Sequence, residues 1–192
     1  MLDSVNFSPL SQAPSLSGGF LDPGKTVLEF DVKEGMSIAD FGCGTGYFTI
    51  LLGQKVGKDG KVYALDVQEP PLDSVRAKAK AVGLENIEAI RANLEVLGSS
   101  RLPDNSQDMV LLANILFQST KKREIISEAA RVLKTGGSLI VIDWKKGTGG
   151  GPPDELRAEP TEMKALLSAD IFSFQKDIDA GSFHYGMMFV KR

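Results

Sequence analysis

The sequence is poor in the side chains that most often do chemistry outright. Its 192 residues hold one cysteine, one histidine and one tryptophan. A lone Cys43 excludes an internal disulfide and any multi-cysteine metal site, and it points to a reducing compartment. The lone His184, set between Phe183 and Tyr185, reads as a structural or solvated side chain rather than a catalyst. No apolar run approaches the ~18 residues of a membrane span. Basic charge is not in excess: the net charge of −3 supplies no field for holding nucleic acid nonspecifically. The first twenty residues are rich in Ser and Pro and lack a basic region, so they do not read as a secretion signal. What remains is a cytoplasmic enzyme or binding protein. Its hydrophobic content of 42% and charged content of 24% are ordinary for a globular domain.

The patterning divides the chain into a flexible N-terminal arm, residues 1–20, and one domain over 21–192. Asp22 and Pro23 start a short helix running to about Phe30. Met36–Phe41 is a strand, Tyr47–Val56 a helix, and Lys61–Leu65 a strand ending at Asp66. After Pro70 and Pro71 comes a helix with Leu72, Val75, Ala79 and Val82 on one face, stopped by Gly83. Ile87–Arg91 is a third strand and Asp108–Ala113 a fourth, its unbroken apolar run that of a strand buried on both faces. A helix follows over Lys121–Leu133, ended by Gly136 and Gly137, then a fifth strand over Ser138–Asp143. Lys145–Pro153 is a glycine-rich loop that suits a lid or a plain connector. Pro160–Ser168 is a helix, and Ile171–Asp177 and Phe183–Val190 pair antiparallel. Strand and helix alternate five times. The expected fold is therefore α/β, a Rossmann-like doubly wound, mostly parallel seven-stranded sheet with a C-terminal antiparallel hairpin.

In such sheets ligands sit beyond the carboxyl ends of the strands. The first strand ends in Asp40-Phe41-Gly42-Cys43-Gly44-Thr45-Gly46, a glycine turn leading into a helix N-terminus. Its glycines bring main-chain N–H groups close to a ligand. A dinucleotide site would carry G-x-G-x-x-G, but the sixth place here is Tyr47 and the third glycine comes one residue early. Asp40, two residues before the first glycine, would repel a pyrophosphate and attract an ammonium. Asp66, twenty residues after Gly46, offers two carboxylate oxygens to the two hydroxyls of a ribose. Asn93, after the third strand, reads either as a partner for a heterocycle edge or as a turn residue bonding its own backbone. Ammonium, ribose and base together describe S-adenosylmethionine.

These motifs resemble the class I S-adenosylmethionine-dependent methyltransferases. The resemblance rests on Ala39–Tyr47, on Val62–Val67, on Asp108 running into Ala113–Phe117, and on Ala130–Gly137. It covers about Leu21 to Arg192 and is greatest to the bacterial branch containing the ubiquinone and menaquinone biosynthesis methyltransferases. By resemblance, Asp40 and the backbone from Gly42 through Cys43 and Gly44 to Gly46 hold the methionine end, Asp66 the ribose, and Val67, Asn93 and Leu94 the adenine. Asn114 and Ile115 line the cofactor near the sulfonium. Asn114–Phe117 lacks the prolines of the amino-methylating motif, and one cysteine is too few for arsenite methylation. The resemblance implies methyl transfer to a small-molecule acceptor, with no metal, no obligatory base and no identified catalytic residue; Tyr47, Phe117 and Trp144 are candidate apolar walls. Alternatives are an S-adenosylmethionine-binding sensor or inactive homologue, and an NAD(P)-dependent oxidoreductase. The oligomeric state stays open.

Overall fold

A computed structural model describes residues 19–168 and 171–192. The expected N-terminal arm lies, up to residue 18, outside the described residues. The chain opens with helix α1, Pro23–Thr26, where Asp22 Oδ1 caps the amides of Gly24 and Lys25. A 3-10 turn, Val27–Glu29, extends it to Phe30. Then come β1 (Ser37–Phe41), α2 (Tyr47–Val56), β2 (Lys61–Asp66), α3 (Glu69–Ala81), β3 (Ile87–Arg91), β4 (Gln107–Ala113), α4 (Lys122–Val132), β5 (Leu133–Trp144), α5 (Pro160–Ser168), β6 (Phe172–Ile178) and β7 (His184–Lys191).

The seven strands form one sheet in the order β3-β2-β1-β4-β5-β7-β6. The first five are parallel, and β7 runs antiparallel to both β5 and β6. Strand order reverses between β1 and β4, which opens a crevice at their carboxyl ends. One face of the sheet packs Phe41, Leu112, Val141 and Phe189 against Ile125 and Ala129 of α4 and Met163 and Leu167 of α5. The other packs Ile38, Leu111 and Ile140 against Phe48, Leu52 and Val56 of α2.

The fifth strand starts earlier than its glycines suggest. Leu133 already has extended dihedrals and pairs with Gln107. The ladder then shifts and resumes at Met109 and Ser138, with Gly136 at φ +79° between the two stretches. The Gly136-Gly137 pair therefore bulges a strand instead of ending a helix. Two further 3-10 turns, Leu116–Gln118 and Asp154–Leu156, carry no apolar periodicity and escape a sequence reading. Among the described residues no helix is long and apolar enough to cross a membrane.

Candidate functional site

The glycine turn is tied to β2 before any ligand is considered. The amides of Gly42 and Cys43 both donate to Leu65 O, at 2.8 and 2.9 Å. Gly42 has φ +72°, and a Cβ there would stand 2.6 Å from Ile115 Cδ1, so only glycine lets the turn close on the end of β4. At Gly44, φ +51°, a Cβ would meet nothing within 4 Å: the turn faces open space. Gly46 caps α2 in the left-handed conformation.

Asp66 is held by both oxygens. Gly44 N donates to Oδ2 at 3.1 Å and Gln68 N to Oδ1 at 2.9 Å. Each carboxylate oxygen keeps a lone pair for a further donor. Asp40 is only 2% exposed and accepts from Thr49 Oγ1 at 2.6 Å. Burial pushes its carboxyl up to about 6, against the pull of the Thr49 bond and with a further push from Asp66. The Cys43 thiol is driven well above its ordinary range by burial, then by the Asp40 and Asp66 carboxylates. It stays protonated, which removes it as a nucleophile.

Val67 is exposed beside Asp66, and Leu94 is buried. Asn93 Oδ1 accepts from Glu95 N at 3.1 Å, the turn geometry that its sequence position allowed, so its Nδ2 is the group left to address a ring nitrogen. Asn114 is left-handed at φ 56°, and its amide donates to Ile142 O at 2.8 Å. Its Oδ1 is buried without a partner among the described residues. Tyr47 is largely exposed, with Lys78 Nζ 4.4 Å from its ring centre, while Phe117 and Trp144 are half-buried.

Several residues escaped the sequence reading. Thr49 is one, and the pair Glu128 and Arg131 is another. Burial opposes a charge on Glu128, but Arg131, Ser100 and the amides of Gly98 and Ser100 outweigh it and bring the carboxyl down to about 2. This pair pins the loop that follows Asn93 and Leu94 onto α4. Asp143 is buried at the end of β5, accepting from Trp144 N and Phe117 N at 2.9 and 3.1 Å, and burial lifts it to about 6. Arg157 is also buried. It donates to the carbonyls of Lys145, Thr148, Gly150 and Pro152 and pairs with Asp154. The glycine-rich loop is thus wound around one guanidinium, with its carbonyls turned inward. His184 is 3% exposed, lies 4.0 Å from the Trp144 ring centre, and has neither ring nitrogen partnered among the described residues. Burial lowers it to about 4, with Lys145 and Arg157 contributing, so it is neutral at physiological pH.

Known proteins resemble this chain. A family model described as methyltransferase domain matches residues 32–187. The ubiquinone/menaquinone biosynthesis C-methyltransferase UbiE of Escherichia fergusonii is 34% identical over 116 residues, 60% of this chain and 45% of that protein. A demethylmenaquinone methyltransferase of Bacillus mycoides is 35% identical over 126 residues, 65% of this chain and 51% of that one. The chain spans about half the length of these curated relatives. The crystal structure of a SAM-dependent methyltransferase from Aquifex aeolicus superimposes with a TM-score of 0.81 at 30% identity, covering 90% of this chain and 91% of that one. A match across most of the chain, on this fold and around this glycine turn, means that the chain belongs to the methyltransferase-domain family, whose cofactor is S-adenosylmethionine.

Proposed function

We propose that the protein transfers the methyl group of S-adenosylmethionine to a small organic acceptor. The observation that carries this reading is the pair of carboxylates flanking an open glycine turn, Asp40 inside the fold and Asp66 locked by Gly44 N and Gln68 N. The residues fit the cofactor. Asp66 presents free lone pairs to ribose hydroxyls, and the space in front of Gly44 admits a ligand against the backbone. Asp40 gives the ammonium end a negative field, Val67 and Leu94 flank the adenine, and Asn114 Oδ1 awaits a donor near the sulfur. When bound, the cofactor supplies an already activated methyl group. The chain's task is then to align an acceptor with it at close approach and to keep water out. The Cys43 thiol, pushed up by burial, is no activated nucleophile, and the residue serves through its backbone. The relatives named for ubiquinone and menaquinone biosynthesis support a small organic acceptor.

Calorimetry with S-adenosylhomocysteine and NADH, followed by transfer of labelled methyl into a metabolite extract, tests this reading. The expected result is tight binding of S-adenosylhomocysteine and label in a small molecule. Binding of NADH alone would overturn the cofactor assignment, and cofactor binding with no labelled product would leave a sensor.

A further inference from the structure

Strands β3 and β4 are not neighbours: β2 and β1 lie between them. Three strand spacings put their carboxyl ends about 14 Å apart. The loops that leave those ends, residues 92–106 and 114–121, nevertheless meet. Ser119 Oγ donates to Glu95 Oε1 at 2.7 Å, and the Lys121 ammonium stands 3.7 Å from Glu95 Oε2. Ser119 is buried, and its Oγ also accepts from Lys121 N at 2.8 Å. Among the described residues no other hydrogen bond or ion pair joins the two loops. A hydroxyl held against a carboxylate and shielded from water is among the stronger bonds a pair of loops can share.

Each end of this clasp is tied to a residue assigned above to the cofactor. On the β3 loop, Glu95 N donates to Asn93 Oδ1 at 3.1 Å, so Glu95 and Asn93 move together. On the β4 loop, Gln118 Nε2 donates to Asn114 O at 2.7 Å and Gln118 N to Ile115 O at 3.1 Å, directly before Ser119. Ile115 in turn packs against Gly42 of the glycine turn. The loops also have separate anchors. Gly98 N and Ser100 N donate to Glu128 of α4, and Phe117 N donates to Asp143 of β5. Opening the clasp therefore leaves each loop fastened to the body of the fold. What it frees is one loop relative to the other.

Building on the methyl-transfer reading above, we propose that Glu95 and Ser119 are positioning residues. Their bond sets the distance between the turn assigned to the adenine and the residues assigned to the sulfonium, so that the cofactor is gripped at both ends at once. A ligand that spans two contacts gains from the second only if their spacing matches its own length. Fixing that spacing in advance removes an ordering cost on binding and aims the methyl group. A ligand that reaches one loop alone gains nothing from the clasp.

Two probes on the full chain test this. S-adenosylhomocysteine, followed by calorimetry, spans both loops. Adenosine, followed by saturation-transfer NMR, carries the base and ribose but no sulfur or amino acid. Ser119→Ala and Glu95→Ala each weaken S-adenosylhomocysteine by about tenfold, the loss of one charge-assisted hydrogen bond, and leave adenosine within about twofold. The double variant loses no more than either single one, because both remove the same contact. Glu95→Gln keeps an acceptor for Ser119 and restores most of the affinity. An equal loss for both probes assigns the pair to the folding of the adenine turn and overturns the proposal. So does S-adenosylhomocysteine affinity unmoved by the single variants, or losses that add in the double variant. A wild-type chain that binds neither probe overturns the methyl-transfer reading as well, whereas wild-type binding of both with no discrimination by the variants overturns the positioning role alone.

Discussion

The two halves of the crevice are built on opposite principles. On the β1–β2 side the polar groups are satisfied from within. Asp66 is held by two amides, Asp40 by Thr49, and the turn by Leu65 O. On the β4–β5–β7 side buried polar atoms stand without partners among the described residues: Asn114 Oδ1, Tyr185 Oη and both His184 nitrogens. A site that meets one invariant ligand gains from being complete in advance, since no reorganisation is then needed on binding. A site left incomplete places its desolvation cost on whichever molecule fills it, and that cost is what gives selectivity.

The largest expected effect is on the strap around Arg157. Arg157→Ala leaves several inward-facing carbonyls unpaired and lowers stability by ~3 kcal/mol in urea unfolding. Arg157→Lys does not restore it, because an ammonium cannot match a planar fork that serves four backbone carbonyls at once. If the strap serves the β4–β5–β7 side alone, S-adenosylhomocysteine binds the folded variant as before. A parallel loss of cofactor affinity would erase the distinction between the halves.

Asp66→Ala attacks the other half. It weakens cofactor binding by ~2 kcal/mol or more, as expected for loss of a charged hydrogen-bond partner. An unchanged dissociation constant by calorimetry would mean that the ribose sits elsewhere.

Smaller still is a pH effect at Asp40. Its carboxyl protonates near 6 because burial disfavours the charge, and the cofactor's ammonium favours the anion. Affinity should therefore hold above pH 7 and fall as pH drops through 6, by up to about tenfold at pH 5. Asp40→Asn should flatten that profile at its weaker end, whereas a slope that survives the substitution would assign the titration to another group. The mildest change is Thr49→Val, which costs ~1 kcal/mol of stability. By removing the hydrogen bond that favours the anion, it also moves the midpoint of the pH profile upward. A midpoint that stays put or falls would remove Thr49 from the ionisation of Asp40.

How much of this was legible follows the same divide. The β1–β2 side is written locally. Asp40, the glycines and Asp66 lie within 27 residues of chain, and α2 and β3 fall on the spans that their periodicity predicts. The β4–β5–β7 side depends on contacts between distant segments. Tyr185 faces Asp143 only because β7 returns antiparallel beside β5, and no spacing encodes that pairing. The bond between Arg157 and the carbonyl of Lys145 is hidden for a related reason: a backbone acceptor leaves no trace in residue type. The fifth strand misleads in a third way. Glycines mark a bulge as readily as a helix stop, and the choice is made by pairing with Gln107.

The position of β7 carries a consequence for how the molecule is made. It is the last strand along the chain, yet it fills an interior slot between β5 and β6. A nascent polypeptide emerging from a ribosome can assemble the five parallel strands early, but both neighbours of that slot wait with raw edges until residues 184–191 arrive. Deleting residues 184–191 would therefore split the sheet down its interior rather than trim its margin.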